Sequence, residues 1–222
     1  SIDRMDLEKS LAFYRQRFSD ASGFTFVFAG SFDLATMRPL VERYLASLPS
    51  THGPHAWKDP GIRPPAGVVR GVVERGVDPR ARTILVFTSP IAPDRATAVG
   101  VVALAQGLQA RLREVLREDL GATYEVAVNG SVVRVPVTQA TVSVDFTSDP
   151  ARVDALTDRL LAEIAAFRNA VPAAQAVSNV QAALQRDFET NVRQNAFLVG
   201  QLAQRYQTGD PPESVWDMPK IF

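Results

Sequence analysis

The amino-acid sequence predicts an α+β fold, in which helices pack on one face of a mostly antiparallel sheet. Several short segments alternate apolar with polar residues, as strands with one buried face do. Amphipathic helical segments come before, between and after them without a regular strand-helix repeat, which argues against a doubly wound sheet. The 222 residues, of which 46% are hydrophobic, are enough to bury a core. We therefore expect a single domain over residues 1–222.

Composition excludes several classes of partner and site. The 24 Lys and Arg residues balance the 24 Asp and Glu residues, so no excess positive charge attracts phosphate backbones or anionic lipids. We therefore expect neither nucleic acid nor a membrane as a partner. The sequence has no Cys, which excludes disulfides, thiolate zinc clusters, iron–sulfur ligation and cysteine nucleophiles.

The N-terminus carries no recognisable targeting segment. Its first 20 residues are charged and lack the apolar stretch of a signal peptide. The first residue is Ser rather than Met, so we expect a piece of a longer product. The compartment is not determined by this sequence.

The N-terminal part is predicted as helix, strand and helix. Apolar residues from Leu7 to Phe18 recur at steps of three and four, which predicts a short first helix within residues 1–20. Phe24–Gly30 is a continuous β-branched and aromatic run, typical of a central strand. The carboxylate of Asp33 is placed to cap the next helix.

Residues 24–146 are predicted to form the sheet, interrupted by a linker and a long helix. Five prolines mark residues 49–67 as a linker that crosses the surface rather than a domain boundary. Val68–Glu74 and Arg82–Ser89 follow as two strands, which we expect to form a hairpin around Gly76.

The long helix covers residues 94–120, because leucines and valines form one apolar stripe opposite a charged face. Gly121 is expected to end this helix. Tyr124–Val128 and Thr141–Phe146 then alternate apolar with polar residues and predict two strands with one solvated face. A tight turn is expected at Asn129-Gly130.

Residues 150–210 are predicted as C-terminal helices. The first begins at Asp149-Pro150, because Pro is favoured in the first helical turn. A further helical stretch runs from Pro172 to about Tyr206. Residues 211–222 are predicted to be a truncated tail.

Two groups of polar residues resemble catalytic or metal sites but have simpler interpretations. His52 and His55 have HxxH spacing, yet a Gly and a Pro between them exclude a helix, so we interpret them as surface-loop residues. Glu118, Asp119 and Glu125 are interpreted as solvated charges at a helix end rather than an acid/base pair, because nothing in the sequence buries them.

The segment from Leu116 to Val126 is the strongest candidate site. Arg117 ends a helix and Tyr124 begins a strand, with a Gly between them that reverses the chain. A guanidinium and a phenol could thereby meet at one rim of the sheet and donate to one carbonyl oxygen. Alternatively, Arg117 neutralises the helix C-terminus and Tyr124 packs as an amphipathic edge residue. The residues alone leave both interpretations open.

Over residues 6–210 the chain resembles the C-terminal-type, non-zinc-binding domain of the pitrilysin/insulinase (M16) zinc metallopeptidases. The resemblance includes the segments 24–33, 44–49 and 148–150. Its most specific part is the motif LRExxGxxY, in which Arg and Tyr are seven residues apart, as is typical of the family's C-terminal half. The motif corresponds here to Leu116, Arg117, Glu118, Gly121 and Tyr124.

The resemblance implies an M16-like α/β roll that closes a peptide substrate chamber, with Arg117 and Tyr124 gripping the scissile carbonyl. The family's zinc motif HxxEH is absent, so the resemblance implies no catalytic or metal residue here and no activity of this chain alone. The complete enzyme would bind zinc through a partner N-terminal half, on the same or a separate chain. The resemblance to the family is compatible with a location in the bacterial periplasm. Alternatively, the chain is a zinc-less structural or assembly subunit of the same family.

Family domains usually continue past the equivalent of Gly209-Asp210 into another helix and a closing strand. The resemblance therefore implies that the chain is truncated, with an exposed sheet edge through which we expect self-association.

Overall fold

The computed structural model of the chain describes residues 5–53, 57–120 and 125–222. Six α-helices lie within these residues: α1 (Leu7–Phe18), α2 (Leu34–Tyr44), α3 (Arg95–Leu120), α4 (Val153–Asn169), α5 (Ala174–Asn191) and α6 (Asn195–Thr208). Three strands, β1 (Ala81–Pro90), β2 (Val126–Val133) and β3 (Gln139–Ser148), form one sheet. Short 3₁₀ helices cover Ala21–Gly23, Pro150–Arg152 and Pro212–Lys220. None of the described helices is long and apolar enough to cross a membrane.

The chain divides into two compact units. The first consists of Ser1–Pro60 and Val192–Pro212, and the second of Gly61–Asn191 and Glu213–Phe222. The first unit therefore holds α1, α2 and α6, whereas the second holds the sheet with α3, α4 and α5.

Helices α1 and α2 of the first unit each begin at an aspartate that caps them. The carboxylate of Asp6 accepts a hydrogen bond from the Lys9 N–H (3.0 Å) at the start of α1. Asp33 accepts one from the Thr36 N–H (2.8 Å) at the start of α2, so its predicted capping role is confirmed. Pro39 lies inside α2.

The central strand predicted at Phe24–Gly30 is wrong. The segment forms no strand, and neither does any other described part of its unit. The ring of Phe24 instead packs edge-on against Phe18 of α1 and against Phe26, with ring centroids 6.0 and 6.2 Å apart. A segment with high strand propensity forms a strand only where another segment completes its backbone hydrogen bonds. Here the aromatic side chains pack on a helix instead.

The strand predicted at Val68–Glu74 is also wrong, and so is the hairpin around Gly76. The backbone of Val68–Glu74 is irregular and its valines are exposed. Strand β1 follows and pairs with β3, which begins 49 residues after the end of β1. A stable strand needs a hydrogen-bonded neighbouring strand and a buried face, and the valine-rich run has neither. Its composition favours a strand but does not supply these two conditions.

The three strands are antiparallel in the order β1-β3-β2, as the sequence predicts for the sheet type. Val144 in the central strand is paired with Leu85 on one side and with Val128 on the other. Because side chains alternate across a sheet, these three residues share the face that packs against the helices. The opposite face carries Ile84 and Val86, which are exposed.

The core of the second unit lies between this sheet face and helices α3 and α4. Leu112 of α3, Val144 of β3 and Leu160 of α4 are completely buried in it. The predicted apolar stripe of α3 therefore faces the sheet. The buried members of the cluster are Ala105, Leu108, Leu112, Leu116, Val126, Val128, Val144, Phe146, Leu156 and Leu160.

The tight turn predicted at Asn129-Gly130 is wrong, because β2 continues through both residues. A Cβ atom at Gly130 would lie 2.5 Å from the Val101 carbonyl oxygen and 3.0 Å from the Ala105 Cβ. Gly130 therefore lets the backbone of α3 approach the strand closely, and its role is packing rather than chain reversal.

The C-terminal segment has more breaks than the sequence indicates. The helical stretch predicted from Pro172 to Tyr206 is two helices, α5 and α6. Residues that were predicted as a truncated tail form a 3₁₀ helix, in which Val215 is buried. Within the second unit, Arg95 donates a hydrogen bond to the Ser214 carbonyl oxygen (2.6 Å), which joins this segment to the start of α3.

Candidate functional site

Helix α3 presents Arg117 to solvent in its last turn. Val115 and Leu116 immediately before it are buried in the core, whereas Arg117 is exposed. The helical repeat explains this arrangement, because the apolar stripe of α3 rotates the intervening charged residues outward. A cation in this position also interacts favourably with the negative end of the helix dipole.

The guanidinium of Arg117 makes no hydrogen bond or ion pair with the residues that the structure describes. Arg111, nearly two turns earlier in α3, is instead held by Glu163 of α4 (Nη2–Oε2, 3.0 Å) and by Glu114 (Nη1–Oε2, 3.2 Å). Of these two arginines, Arg117 is therefore the one whose donors are not engaged by another described element.

Tyr124, the second residue of the candidate pair, lies outside the described residues, as does Gly121. What the structure describes is the two flanks of this segment. On one side α3 ends at Leu120, and on the other β2 begins at Val126, two residues beyond Tyr124. The convergence of Arg117 and Tyr124 on one acceptor therefore stays a prediction.

The other polar candidates do not form a site among the described residues. The side chains of Glu118 and Asp119 lie outside the described part of the chain, and Glu125 is exposed. His52 is exposed in a loop with a left-handed backbone (φ 52°), and its Nδ1 lies 3.4 Å from the Ser50 hydroxyl. His55 is not among the described residues.

No group of three His, Cys, Asp or Glu residues in the described ranges could hold a metal ion. The described donor set therefore does not fit a zinc centre, which needs at least three protein ligands.

A hydrogen bond between α3 and β2 adds a residue that sequence reasoning missed. The side-chain oxygen of Gln109 accepts the Val128 N–H at 2.8 Å. The sequence contains one signal for it: Gln109 lies four residues after Ala105 and three before Leu112, so it is a polar residue on the apolar stripe. A polar residue in that position indicates a buried or edge hydrogen bond.

A second missed feature is the ionic contact between α3 and α4. Glu163 is buried and accepts hydrogen bonds from Arg111 (3.0 Å) and from Arg159 (2.6 Å). The hydrogen bond to Glu163 raises the pKa of Arg111 above its usual range, with a further contribution from the Glu163 charge. This contact holds α4 against α3 and thereby fixes the helix that carries Arg117 and Gln109.

Comparison with known proteins shows which family and which solved structures this chain resembles. Residues 4–184 match the family model described as Peptidase M16 inactive domain. The periplasmic protease PqqL from Escherichia coli superposes with a TM-score of 0.76 at 22% identity, over 96% of this chain and 24% of PqqL. The ferredoxin protease FusC, solved in complex with Arabidopsis ferredoxin, gives 0.68 at 18% identity, over 99% of this chain and 24% of FusC.

A protease from Helicobacter pylori is also similar, with a TM-score of 0.66 at 15% identity, over 87% of this chain and 47% of that protein. No curated protein sequence matches the chain. The chain spans about a quarter of the length of PqqL and FusC, and at these identities the likeness is one of fold.

Proposed function

The chain belongs to the M16 peptidase family, as a domain of its inactive type, and from this premise we propose that it is the non-catalytic half of a zinc endopeptidase. In this role it closes the substrate chamber opposite an N-terminal half that carries HxxEH. The match to the inactive-domain model over residues 4–184 is the observation that carries the proposal. The absence of HxxEH from the sequence agrees with it, because the catalytic zinc then has to come from elsewhere.

Arg117 and Tyr124 are the residues proposed to touch the substrate. Arg117 is exposed at the end of α3, and no described side chain occupies its donors. Tyr124 follows seven residues later in the same motif. A planar guanidinium and a phenol hydroxyl are both hydrogen-bond donors, so the pair suits a peptide carbonyl oxygen, which accepts two hydrogen bonds.

The chemistry of peptide hydrolysis explains why such donors matter. When the carbonyl carbon of the scissile bond is attacked, its oxygen gains negative charge. Donors already aimed at that oxygen stabilise the transition state more than the ground state. The zinc and the attacking water would be supplied by the partner half, whereas Arg117 and Tyr124 would bind the carbonyl and orient it.

The test uses the complete protein, with both halves present, and a fluorogenic peptide substrate. Tyr124→Phe removes only the hydroxyl, and Arg117→Lys keeps the charge but loses the planar fork. Each should lower kcat by about 10²- to 10³-fold, as loss of other oxyanion donors does, with a smaller change in KM. Arg113→Lys is the matched control, because Arg113 is an exposed arginine one turn earlier on α3.

Circular dichroism of each variant establishes that the fold is intact. Wild-type kcat in Tyr124→Phe would show that the tyrosine does not grip the carbonyl, and that the alternative role of edge packing is correct.

A second candidate function is a structural or assembly subunit of the same family that works without zinc. The absence of HxxEH from the sequence is compatible with both functions, whereas the presence of both Arg117 and Tyr124 favours the first, because a structural subunit does not need that pair. The two functions differ in the whole protein. A zinc endopeptidase contains one zinc per complete enzyme and hydrolyses peptides, whereas a structural subunit does neither and co-purifies with its assembly.

A further inference from the structure

Helix α3 and strand β2 lie side by side and run in opposite directions. Gly130 of β2 lies against α3, because a Cβ atom added to it would come within 2.5 Å of the Val101 carbonyl oxygen and 3.0 Å of the Ala105 Cβ. Further along the helix, Gln109 lies beside Val128, which comes two residues earlier in the strand. The C-terminal end of α3 therefore lies toward the first residues of β2.

The hydrogen bond between Gln109 and Val128 fixes the helix along its own axis. The contact at Gly130 sets how closely the two backbones approach, but apolar packing is non-directional and allows one element to slide over the other. A hydrogen bond of 2.8 Å weakens steeply when its distance or angle changes. It therefore determines which residue of α3 lies beside which residue of β2.

The Val128 N–H needs this acceptor. Val128 is 7% exposed, so water has little access to replace the Gln109 oxygen. A buried N–H without a partner is costly. If the Gln109 oxygen is removed, we expect α3 and β2 to shift until another acceptor or a water molecule reaches this N–H.

The register of α3 on β2 in turn determines where Arg117 lies. Arg117 is eight residues beyond Gln109 in the same helix, or about 12 Å along its axis. Its guanidinium makes no hydrogen bond or ion pair with another described residue, so the placement of α3 sets its position. Strand β2 begins two residues beyond Tyr124. A shift of α3 along β2 therefore changes the spacing between Arg117 and the start of that strand.

We propose that Gln109 is a positioning residue for peptide hydrolysis, which holds Arg117 at a fixed distance from the start of β2 by accepting the Val128 N–H. This role rests on the proposed function, in which Arg117 binds the scissile carbonyl. Gln109 itself does not touch the substrate. A displacement of about 1 Å at a reacting group can cost about 10²-fold in rate, so a small shift of α3 is enough to lower turnover.

The alternative is that Gln109 only satisfies the Val128 N–H and stabilises the fold. In that case its replacement lowers stability but leaves turnover by the folded protein unchanged. The two roles are therefore separated by kcat, by rescue with a second acceptor and by dependence on Arg117.

The test measures hydrolysis of a fluorogenic peptide by the complete protein, with both halves present. Gln109→Met removes the acceptor and keeps the length of the side chain, whereas Gln109→Glu keeps an acceptor oxygen in the same position. Gln106→Met is the matched control, because the Gln106 amide donates to Asp187 of α5 (3.5 Å) and not to β2. Gln109→Asn, whose amide is one methylene shorter, is measured by the same criteria if Gln109→Met does not fold.

Gln109→Met should lower kcat about 10-fold with a smaller change in KM, because the donor is displaced rather than removed. Gln109→Glu should restore most of this loss, and Gln106→Met should leave kcat unchanged. Hydrogen exchange of the Val128 amide should be faster in Gln109→Met than in the wild type and in Gln106→Met.

Combination with Arg117→Lys shows whether Gln109 acts through Arg117. If it does, Gln109→Met should cause no further loss of kcat once Arg117 has been replaced. Wild-type kcat in Gln109→Met, an equal loss in Gln109→Glu, losses that multiply in the double variant, or unchanged exchange of the Val128 amide would each overturn the proposal.

Failure of the proposed function gives a different result. Arg117→Lys alone would then keep wild-type kcat, and the positioning role would be wrong together with the function on which it rests. If Arg117→Lys is impaired but Gln109→Met is not, the proposed function stands and the positioning role alone is wrong.

Discussion

Replacement of Gly130 by Ala tests the close approach between α3 and β2. The added methyl group would lie 2.5 Å from the Val101 carbonyl oxygen and 3.0 Å from the Ala105 Cβ. Both atoms belong to α3, and the first is backbone, so no side-chain rotation can relieve the contact. The helix and the strand have to move apart.

The size of the effect follows from these distances. A carbon and a carbonyl oxygen in contact normally lie about 3.3 Å or more apart, so the variant requires a separation of roughly 0.8 Å. Overpacking of this kind costs about 1–3 kcal/mol. Loss of the glycine's freedom in the unfolded chain offsets about 0.4–1 kcal/mol of that cost. We therefore expect a net loss of about 1–2 kcal/mol of unfolding free energy, or about 2–8 °C in Tm for a chain of this size.

The assay is thermal and urea unfolding followed by circular dichroism, with Gly100→Ala as the matched control. Gly100 lies in α3, and no atom lies within 4 Å of a Cβ added to it. Its replacement should stabilise the protein by about 0.5–1 kcal/mol through helix propensity alone. If Gly130→Ala were as stable as the wild type or more stable, the close approach of α3 to β2 would be refuted. The explanation of how the Gln109 side chain comes within hydrogen-bond distance of the Val128 N–H would then also be wrong.

Two further predictions concern the core and an acidic residue near the surface. Leu160→Ala should lower the free energy of urea unfolding by about 2–5 kcal/mol, because Leu160 is 0% exposed. Leu161→Ala, at a site that is 41% exposed, should lower it by less than about 1 kcal/mol. Similar losses in the two variants would show that α4 does not pack as described. Hydrogen bonds from Ser22 and then from Thr51 lower the pKa of Asp20 well below its usual value of 3.8. The carboxylate therefore stabilises the fold above about pH 4, and this contribution is lost as the pH falls through the lowered pKa. The wild type should accordingly exceed Asp20→Asn in unfolding free energy at pH 7 and lose that advantage below pH 4, and a difference that is independent of pH would contradict the prediction.

Local chemistry determined several features that the structure reproduces. The three- and four-residue apolar repeat places α1 and α3, and the carboxylate of Asp33 marks the start of α2. These features depend on neighbours within about one helical turn, so a single sequence contains all the information that they need. The strands that alternate apolar with polar residues, β2 and β3, were predicted for the same reason.

The site was predicted only in part. Arg117 is exposed at the end of α3, as its place opposite the apolar stripe predicts. The role of Gln109 at the edge of β2 was not visible, because its acceptor oxygen finds the Val128 N–H only after helix and strand have packed. The Arg111–Glu163 contact joins residues 52 positions apart and has no local signature either.

The amino-acid sequence by itself determined helices α1 to α4, the cap at Asp33, the antiparallel α+β class and the motif at Arg117 and Tyr124. The tertiary structure decided which apolar runs became strands. Phe24–Gly30 and Val68–Glu74 have strand composition but no neighbouring strand, whereas β1 found β3 far along the chain. It also decided that Gly130 serves a helix–strand contact instead of a turn. The physical reason is the same in each case. A helix completes its backbone hydrogen bonds with residues four positions away, whereas a strand completes them with a segment distant in the sequence. The position of that segment depends on the packing of the whole unit.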